Sequence, residues 1–465
     1  MATILDAEES LLRALRNAER HFPYAEALAQ ESSGSEIRLN RAGLQVGDQP
    51  DLRGAALRAW AGDHWVETAS NGLTAEAIAR ASEALVGMAP GGGGLPPPPG
   101  APATGDRTSV PHPARPIDRI PVEERIEQVR AWRSWALAVE GIAEADSAMV
   151  TQTDRRLYLN SVGGRRYQEA PRTYAAVLPV ARQGGTVRYV PLREGGIGGE
   201  EILARFTEEA IRGAADEAKA LLSARAPPAG RTSVVLDASV TGTLAHESFG
   251  HGTEADQFLR KRSYLQPILG SVVGPEFLSI VDDGTVPGAW GSIAFDDEGH
   301  PGQKNFLIDH GRFTGVLHDR VSAAALGGHP TGNARRSDFL SRQWVRMTNT
   351  YVVPGDWSRE EILAEAKEGI LMEQFTSGIE DPLGGLMQIK VLKGWTIEHG
   401  RRGHRLSSMA LSGRVLDVLK SIRAIGRVDG PIPIETGFCG KGHSDYIPVG
   451  SGGADLLAEA VVGPA

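Results

Sequence analysis

A chain of 465 residues, 41% hydrophobic and 23% charged, has room for two or three domains with substantial cores and the balance of an ordinary globular protein. Forty-nine basic against 58 acidic residues leave a net charge of -9, which argues against general nucleic-acid binding, and a single cysteine excludes an intrachain disulfide framework. The first 20 residues are amphipathic and charged without an apolar signal core, and no apolar run is long enough to span a membrane, so a cytoplasmic protein with no membrane partner is expected.

Leu11, Leu12, Leu15 and Phe22 recur at helical spacing and open the chain with a helix. Alternating stretches at 24–30, 36–44, 55–60 and 65–69 predict strands, the last two forming a hairpin across Ala61-Gly62-Asp63-His64. Thr74 is placed to cap a helix that runs to about Val86. Residues 89–115 are rich in Gly and Pro with few large apolar side chains, which predicts a mobile or extended loop, either a plain linker or a flap over a substrate channel. Ile126, Val129, Trp132 and Trp135 then predict a helix over 122–139, and 148–153, 156–160 and 173–181 read as strands with Gly163-Gly164 as a turn.

Residues 200–224 read as one long helix, stopped by Pro227, Pro228 and Gly230. A domain boundary is placed at that stretch, giving an N-terminal α+β domain at 1–230 and a second domain at 231–465. The second domain turns strand-rich. Segments 305–308 and 312–317 flank Asp309-His310-Gly311 as a hairpin, 348–353, 386–392 and 395–399 read as further strands, and 360–369 and 412–425 as helices. The fold class expected is therefore α+β, a strand and helix domain followed by a β-rich, barrel-like domain.

The chemistry concentrates at the start of the second domain. The apolar run Val234-Val235-Leu236 feeds a small-residue helix that carries His246-Glu247-Ser248-Phe249-Gly250-His251, an HExxxH pattern. Two neutral imidazoles hold a metal, and a carboxylate beside the first can take a proton from metal-bound water. Five residues turn an ideal helix by about 500°, which leaves the two side chains roughly 140° apart, so a π-bulge or an early helix end at Gly250 must absorb the extra residue. Cys439 is the candidate third ligand. As a thiolate it would complete two His and one Cys around zinc, with Lys441 nearby to favour ionisation; the competing role is a buried, inert thiol.

These residues resemble the TldD/PmbA family, in particular its TldD-type zinc metalloprotease branch. LAHESFGHGTEAD (244–256) is similar to the metal helix of that branch, DEGHPGQ (297–303) to the loop that follows it, PTGNARR (330–336) and RMTNTY (346–351) to two further signatures, and Cys439-Gly440-Lys441 with Pro448-Val449-Gly450 to the C-terminal signature. LYLNS (157–161) is similar to a strand of the family's N-terminal domain. The resemblance implies Zn2+ held by His246, His251 and Cys439, with Glu247 as general base. It implies unfolded or extended peptides as substrates, and dimers formed with a second copy or with a similar chain that lacks the metal motif. One departure is Gly442-His443-Ser444-Asp445-Tyr446, where the family's spacing is shorter, which puts substrate preference in question and makes His443 a residue that could crowd or assist the site.

Asn333, Arg335, Arg336, Arg346 and Asn349 are candidate partners for a peptide backbone or carboxylate, against a structural role in ion pairs or turns. Glu254 and Asp256 are candidates to orient the metal-bound His, against helix capping or surface solvation. The function expected is a zinc-dependent peptidase. Its alternative is a non-catalytic peptide-binding subunit on the same fold.

Overall fold

The computed structural model describes residues 3–90, 102–442 and 445–465. Four long antiparallel strands, Ala25–Asn40, Gly43–Trp60, Ile142–Asn160 and Arg165–Gln183, dominate the first half and carry shorter strands at their edges to make an eight-stranded sheet. Side chains alternate across such a sheet, and its two faces meet different neighbours. Ala25, Ala27, Ala29, Leu57, Leu157 and Leu159 bury against helices Glu8–Ala18 and Ala75–Val86, while Ile37, Met149, Ala175 and Val177 bury against Val122–Leu137 and Glu208–Ala220. The opposite face presents Glu26, Arg58, Arg156, Tyr158, Arg166 and Arg172, all in contact with groups from the second half of the chain or with the network that joins the halves.

Thr74 caps its helix as expected, its hydroxyl accepting from Ala77 N–H at 3.2 Å, a bond that stabilises a helix end by about 1 kcal/mol. Several expected breaks are absent. Residues 25–30 and 36–40 lie in one strand, and 148–153 and 156–160 in another, because the polar residues between them keep their ladder partners, Asp154 opposite Ser32 and Gln152 opposite Gly34, while a turn at 41–42 cuts the strand expected over 36–44. Within the Gly/Pro-rich stretch, residues 91–101 lie outside the description; Asp106–Ser109 is a strand that pairs in parallel with 165–168.

The helix expected over 200–224 is broken. A 3-10 turn at Glu200–Leu203 is separated from Glu208–Ala220, which Thr207 caps, because Phe206 turns inward to pack edge-on against Trp132 at 4.7 Å. The helix expected over 412–425 shrinks to Val415–Lys420. Met409–Arg414 is a strand with ladder partners on both sides, and burial of Met409 and Leu411 holds it there. The strand expected to end at 317 stops at Phe313.

Strands Gly369–Asp381, Gly230–Leu236, Leu456–Pro464, Met409–Arg414 and Leu386–Glu398 pair in that order, and the last returns to the first, so five strands close a barrel. Beside it stands a six-stranded sheet that ends in Asn349–Val352, Asp445–Gly452 and the edge strand Ile434–Lys441. Helix Ala238–Ala245 leaves barrel strand Gly230–Leu236 and lies between barrel and sheet, with Val240, Leu244 and Ala245 fully buried. Its Gly242 rests on the backbone of Ser451 and Gly452, where a Cβ would collide. That contact sets the distance between the helix and the hairpin that follows Ile434.

Candidate metal centre

Asp237 starts the helix, accepting from Val240 N–H at 2.9 Å, and the helix runs regularly to Ala245. From His246 to Gly250 it widens into a π turn, in which His251 N–H donates to the His246 carbonyl five residues back. This turn absorbs the extra residue of HExxxH and brings the two imidazoles together, ring centres 4.9 Å apart and planes at 88°. The local chemistry explains why the turn persists. A Cβ at Gly250 would strike Met347 Sδ, and neighbouring hydroxyls satisfy the carbonyls that a regular helix would have used: Tyr264 on Ser248, Thr253 on Gly250 and Ser263 on Gly252.

Cys439 approaches from edge strand Ile434–Lys441, where it pairs with Ile447. Its Sγ lies 3.3 Å from His251 Nε2, and one ligand atom from each of His246, His251 and Cys439 falls within 4.8 Å of the others. These three form the group of His, Cys and acidic residues among the described residues that could hold a metal. Burial favours the neutral Cys439 thiol, but His251 and His246 outweigh it and hold its pKa well below the usual thiol range. Burial favours neutral His251, yet the Cys439 thiolate and Glu254 hold its pKa well above the usual imidazole range. A proton on His251 therefore stands where the thiolate demands positive charge. His246 Nδ1 is buried with no hydrogen-bond partner among the described residues. Two imidazoles and a thiolate around one point, with bonding capacity the protein leaves unfilled, fit a zinc ion.

The surroundings divide sharply into supporting groups and open ones. Glu254 is completely buried, with Oε2 at 3.5 Å from His251 Nδ1 and 2.8 Å from Lys441 Nζ. Burial would favour protonated Glu254, but Lys441, His251 and Arg346 bring its pKa down to about 2, so it stays an anion behind His251. Asp256 does not reach either His; it accepts from Lys441 at 2.8 Å. Lys441, expected to favour the thiolate directly, instead donates to Glu254, Asp256 and the Val345 carbonyl. His443 lies outside the described residues.

The five expected peptide-binding residues are placed elsewhere. Asn333 donates to Asp282 at 2.8 Å and to the Arg346 carbonyl at 2.9 Å; Asn349 donates to the Asp283 carbonyl at 2.7 Å and to Ser292 at 2.9 Å. Arg335 donates to the Met347 and Pro448 carbonyls, and Arg336 holds Glu67 with two bonds at 3.0 and 2.9 Å. Arg346 donates to the Cys439 and Asp445 carbonyls and so clamps the hairpin that carries the thiol. All five are at least 94% buried and none lines the cleft at the triad. The donors named here are directed to fixed protein acceptors, so in this structure these five residues brace the loops and strands around the site.

The cleft itself has a volume of about 560 Å3. His246, Glu247, His251 and Cys439 form its floor, and its walls are strand segments 375–380 and 437–440. Gly378 lies directly against Glu247: a Cβ there would stand 2.6 Å from its Cγ and Oε1. Glu380, Phe438 and Tyr446 also face the cleft, and sequence reading missed them because no spacing links them to the motif.

The sequence profile of the PmbA/TldA metallopeptidase C-terminal domain matches residues 229–440, and that of the central domain matches 115–225. A metalloprotease of Methanocaldococcus jannaschii is 36% identical over 308 residues, 66% of this chain and 67% of its own. A zinc metalloprotease TldD homolog of Saccharolobus solfataricus is 32% identical over 236 residues, 50% of this chain and 52% of its own. TldE from Thermococcus kodakarensis shares the fold, with a TM-score of 0.75 over 97% of this chain and 100% of that one at 17% identity.

Proposed function

The chain belongs to the PmbA/TldD metallopeptidase family, and from that premise we propose that it hydrolyses peptide bonds of extended or unfolded peptides at a zinc ion held by His246, His251 and Cys439, with Glu247 as general base. The observation that carries the reading is the convergence of those three ligand atoms within 4.8 Å on the π turn that also presents Glu247. When bound, zinc supplies Lewis acidity to the scissile carbonyl and lowers the pKa of water. Glu247 faces the cleft from beside the first ligand, placed to take a proton from the attacking water and return it to the leaving amine. Gly378, with no side chain, leaves room for that carboxylate in the cleft wall.

The cleft walls support a choice of extended peptide. Segment 376–380 pairs with Leu386–Glu398 on one side, and strand Ile434–Lys441 pairs with Asp445–Gly452 on one side. Among the described residues no strand pairs with the other edge of either segment, and both edges border the cleft. Backbone N–H and C=O groups on such edges bind an added strand and read main chain more than side chain. Phe438 and Tyr446, 62% and 61% exposed, offer aromatic contact along the same path.

A homodimer, or a heterodimer with a similar chain lacking the metal motif, is part of this reading, and sedimentation of the purified chain alone is its test: a monomer overturns the homodimer. The binding-subunit alternative gains no support from the site, since all three ligands and the carboxylate are present together. The decisive measurement pairs zinc content with cleavage of an unstructured peptide in wild type and Cys439→Ala. About one zinc per chain, lost along with cleavage in the variant, is expected. Zinc retained without Cys439 overturns the ligand set, and zinc-loaded wild type that cleaves nothing overturns the peptidase.

A further inference from the structure

One carboxyl in the cleft has no role in the reading above. Glu380 lies two residues beyond Gly378 on the same strand, so its side chain leaves the strand on the face that meets Glu247, about 7 Å further along. Both of its oxygens are buried and make no hydrogen bond among the described residues. Its neighbours are other acids. Burial, together with Glu247, Glu254 and Asp381, pushes its pKa up to about 8 against the pull of His251, as happens to a carboxyl with no counter-charge of its own. Among the described residues that line the cleft there is no Lys or Arg.

Counting formal charge in the loaded site makes the imbalance plain. A divalent ion is matched by the Cys439 thiolate and the Glu247 carboxylate, which leaves Glu380 as one acid more than the site needs. The supporting cations cannot reach it: Lys441 is bound to Glu254 and Asp256, and Arg346 to the carbonyls of Cys439 and Asp445. A buried acid with both oxygens open is costly until a donor or a cation meets it. The open strand edge beside it is where a peptide would lie, and two strand residues from the Gly378 contact with Glu247 is one or two substrate residues from the bond that is cut.

We propose that Glu380 determines specificity, receiving a basic group of the peptide, a Lys or Arg side chain or an amino terminus, within two residues of the scissile bond on one side. The inference rests on the peptidase reading for its place in the substrate. Its chemistry is that of a cation on an open carboxylate, and the other residues of the cleft add shape without charge selection.

The test uses one unstructured peptide sequence with Lys, Leu or Glu at each of the two positions on either side of the cut. In zinc-loaded wild type, kcat/KM for the Lys peptide at the responsive position should exceed that for Leu by on the order of tenfold, with Glu below both. In Glu380→Gln the Lys-to-Leu ratio should fall to about one, while zinc content stays that of wild type. A wild-type ratio of one overturns the proposal, and so does a Glu380→Gln variant that keeps the wild-type ratio. Titration calorimetry of the same peptides on zinc-loaded Glu247→Gln gives the ratio without turnover. Selective binding with no cleavage by wild type would overturn the hydrolytic reading and support this one; equal dissociation constants for Lys and Leu peptides would overturn this one alone.

Discussion

Two buried clusters of charge invite comparison, one where the halves of the chain meet and one at the metal cleft. In the first, Glu26 accepts from Tyr24 and Tyr158 at 2.7 and 2.8 Å and from Arg58, while Glu298 accepts from Arg58 at 2.7 Å, from Gln343 at 3.1 Å and from Arg320 N–H at 2.8 Å. In the second, His246 Nδ1 and both oxygens of Glu380 have no hydrogen-bond partner among the described residues, and the pKa of Cys439 is pulled well down and that of His251 well up. Both clusters are rich in ionisable groups and both are buried. The difference is that protein donors fill the carboxylates of the first cluster and leave these atoms of the second open, which suits the first to holding the fold and, on the proposed function, the second to a metal or a substrate.

The largest expected effect breaks the second cluster alone. Glu247→Gln should lower kcat by about 10^2–10^4-fold, the range for losing a general base, while zinc content and the unfolding transition remain those of wild type. A kcat within a few-fold of wild type would remove Glu247 from the chemistry. The mirror experiment is Arg58→Met, which takes from Glu26 and Glu298 the guanidinium that bridges them, with Arg320 still beside Glu26. Loss of about 3–5 kcal/mol in urea unfolding is expected, with wild-type zinc content per folded chain. If Arg58→Met were neutral, the inter-half network would be less demanding than its burial suggests.

A smaller change tests the seam between the two kinds of cluster. Glu254 accepts from Lys441 at 2.8 Å and with the same oxygen faces His251 Nδ1 at 3.5 Å. Glu254→Gln should weaken zinc binding by about 10–100-fold in competition with a chelator, the usual consequence of removing the carboxylate behind a ligating His. Unchanged affinity would mean that the π turn alone orients His251.

The same contrast explains what could be read from the chain before its structure. HExxxH carries its own geometry, since five residues on a helix force a π-bulge or an early helix end once both His must meet, and Cys439 stands out as the lone thiol in a glycine-rich stretch. The barrel-like second domain was legible in its alternation. By contrast Asn333, Arg335, Arg336, Arg346 and Asn349 look alike in a sequence whether they reach for a peptide or for a carbonyl, because residue type states donor capacity and not where the acceptor lies. Glu380 was invisible for the opposite reason. Its meaning comes from the barrel strand that brings Gly378 against Glu247, a contact between residues more than a hundred positions apart. The break at Phe206 likewise follows from a distant partner, Trp132, that helical periodicity does not register.

The smallest expected effect concerns a carboxylate at the edge of the first cluster that is not at ease there. Asp319 caps helix Arg320–Leu326, accepting from Ser322 N–H at 2.7 Å, but burial and the nearby Glu298 push its pKa up to about 6 from the model-peptide value of 3.8. Below pH 3.8 folded and unfolded chains both hold this proton, and the group has no effect on stability. As pH rises from 3.8 to 6 the unfolded chain releases it first, so the unfolded state gains and stability falls; above 6 the penalty is complete. The shift sets a ceiling of about 3 kcal/mol, reduced wherever the helix end loosens to admit water. Asn caps a helix as well as Asp and carries no charge. Asp319→Asn should therefore match wild type near pH 3.5 and exceed it by about 1 kcal/mol at pH 7, with a flatter profile between 4 and 6 in chemical denaturation. A variant less stable than wild type at pH 7 would show that the Asp319 charge is matched after all, and would place it with Glu26 and Glu298 among the satisfied acids.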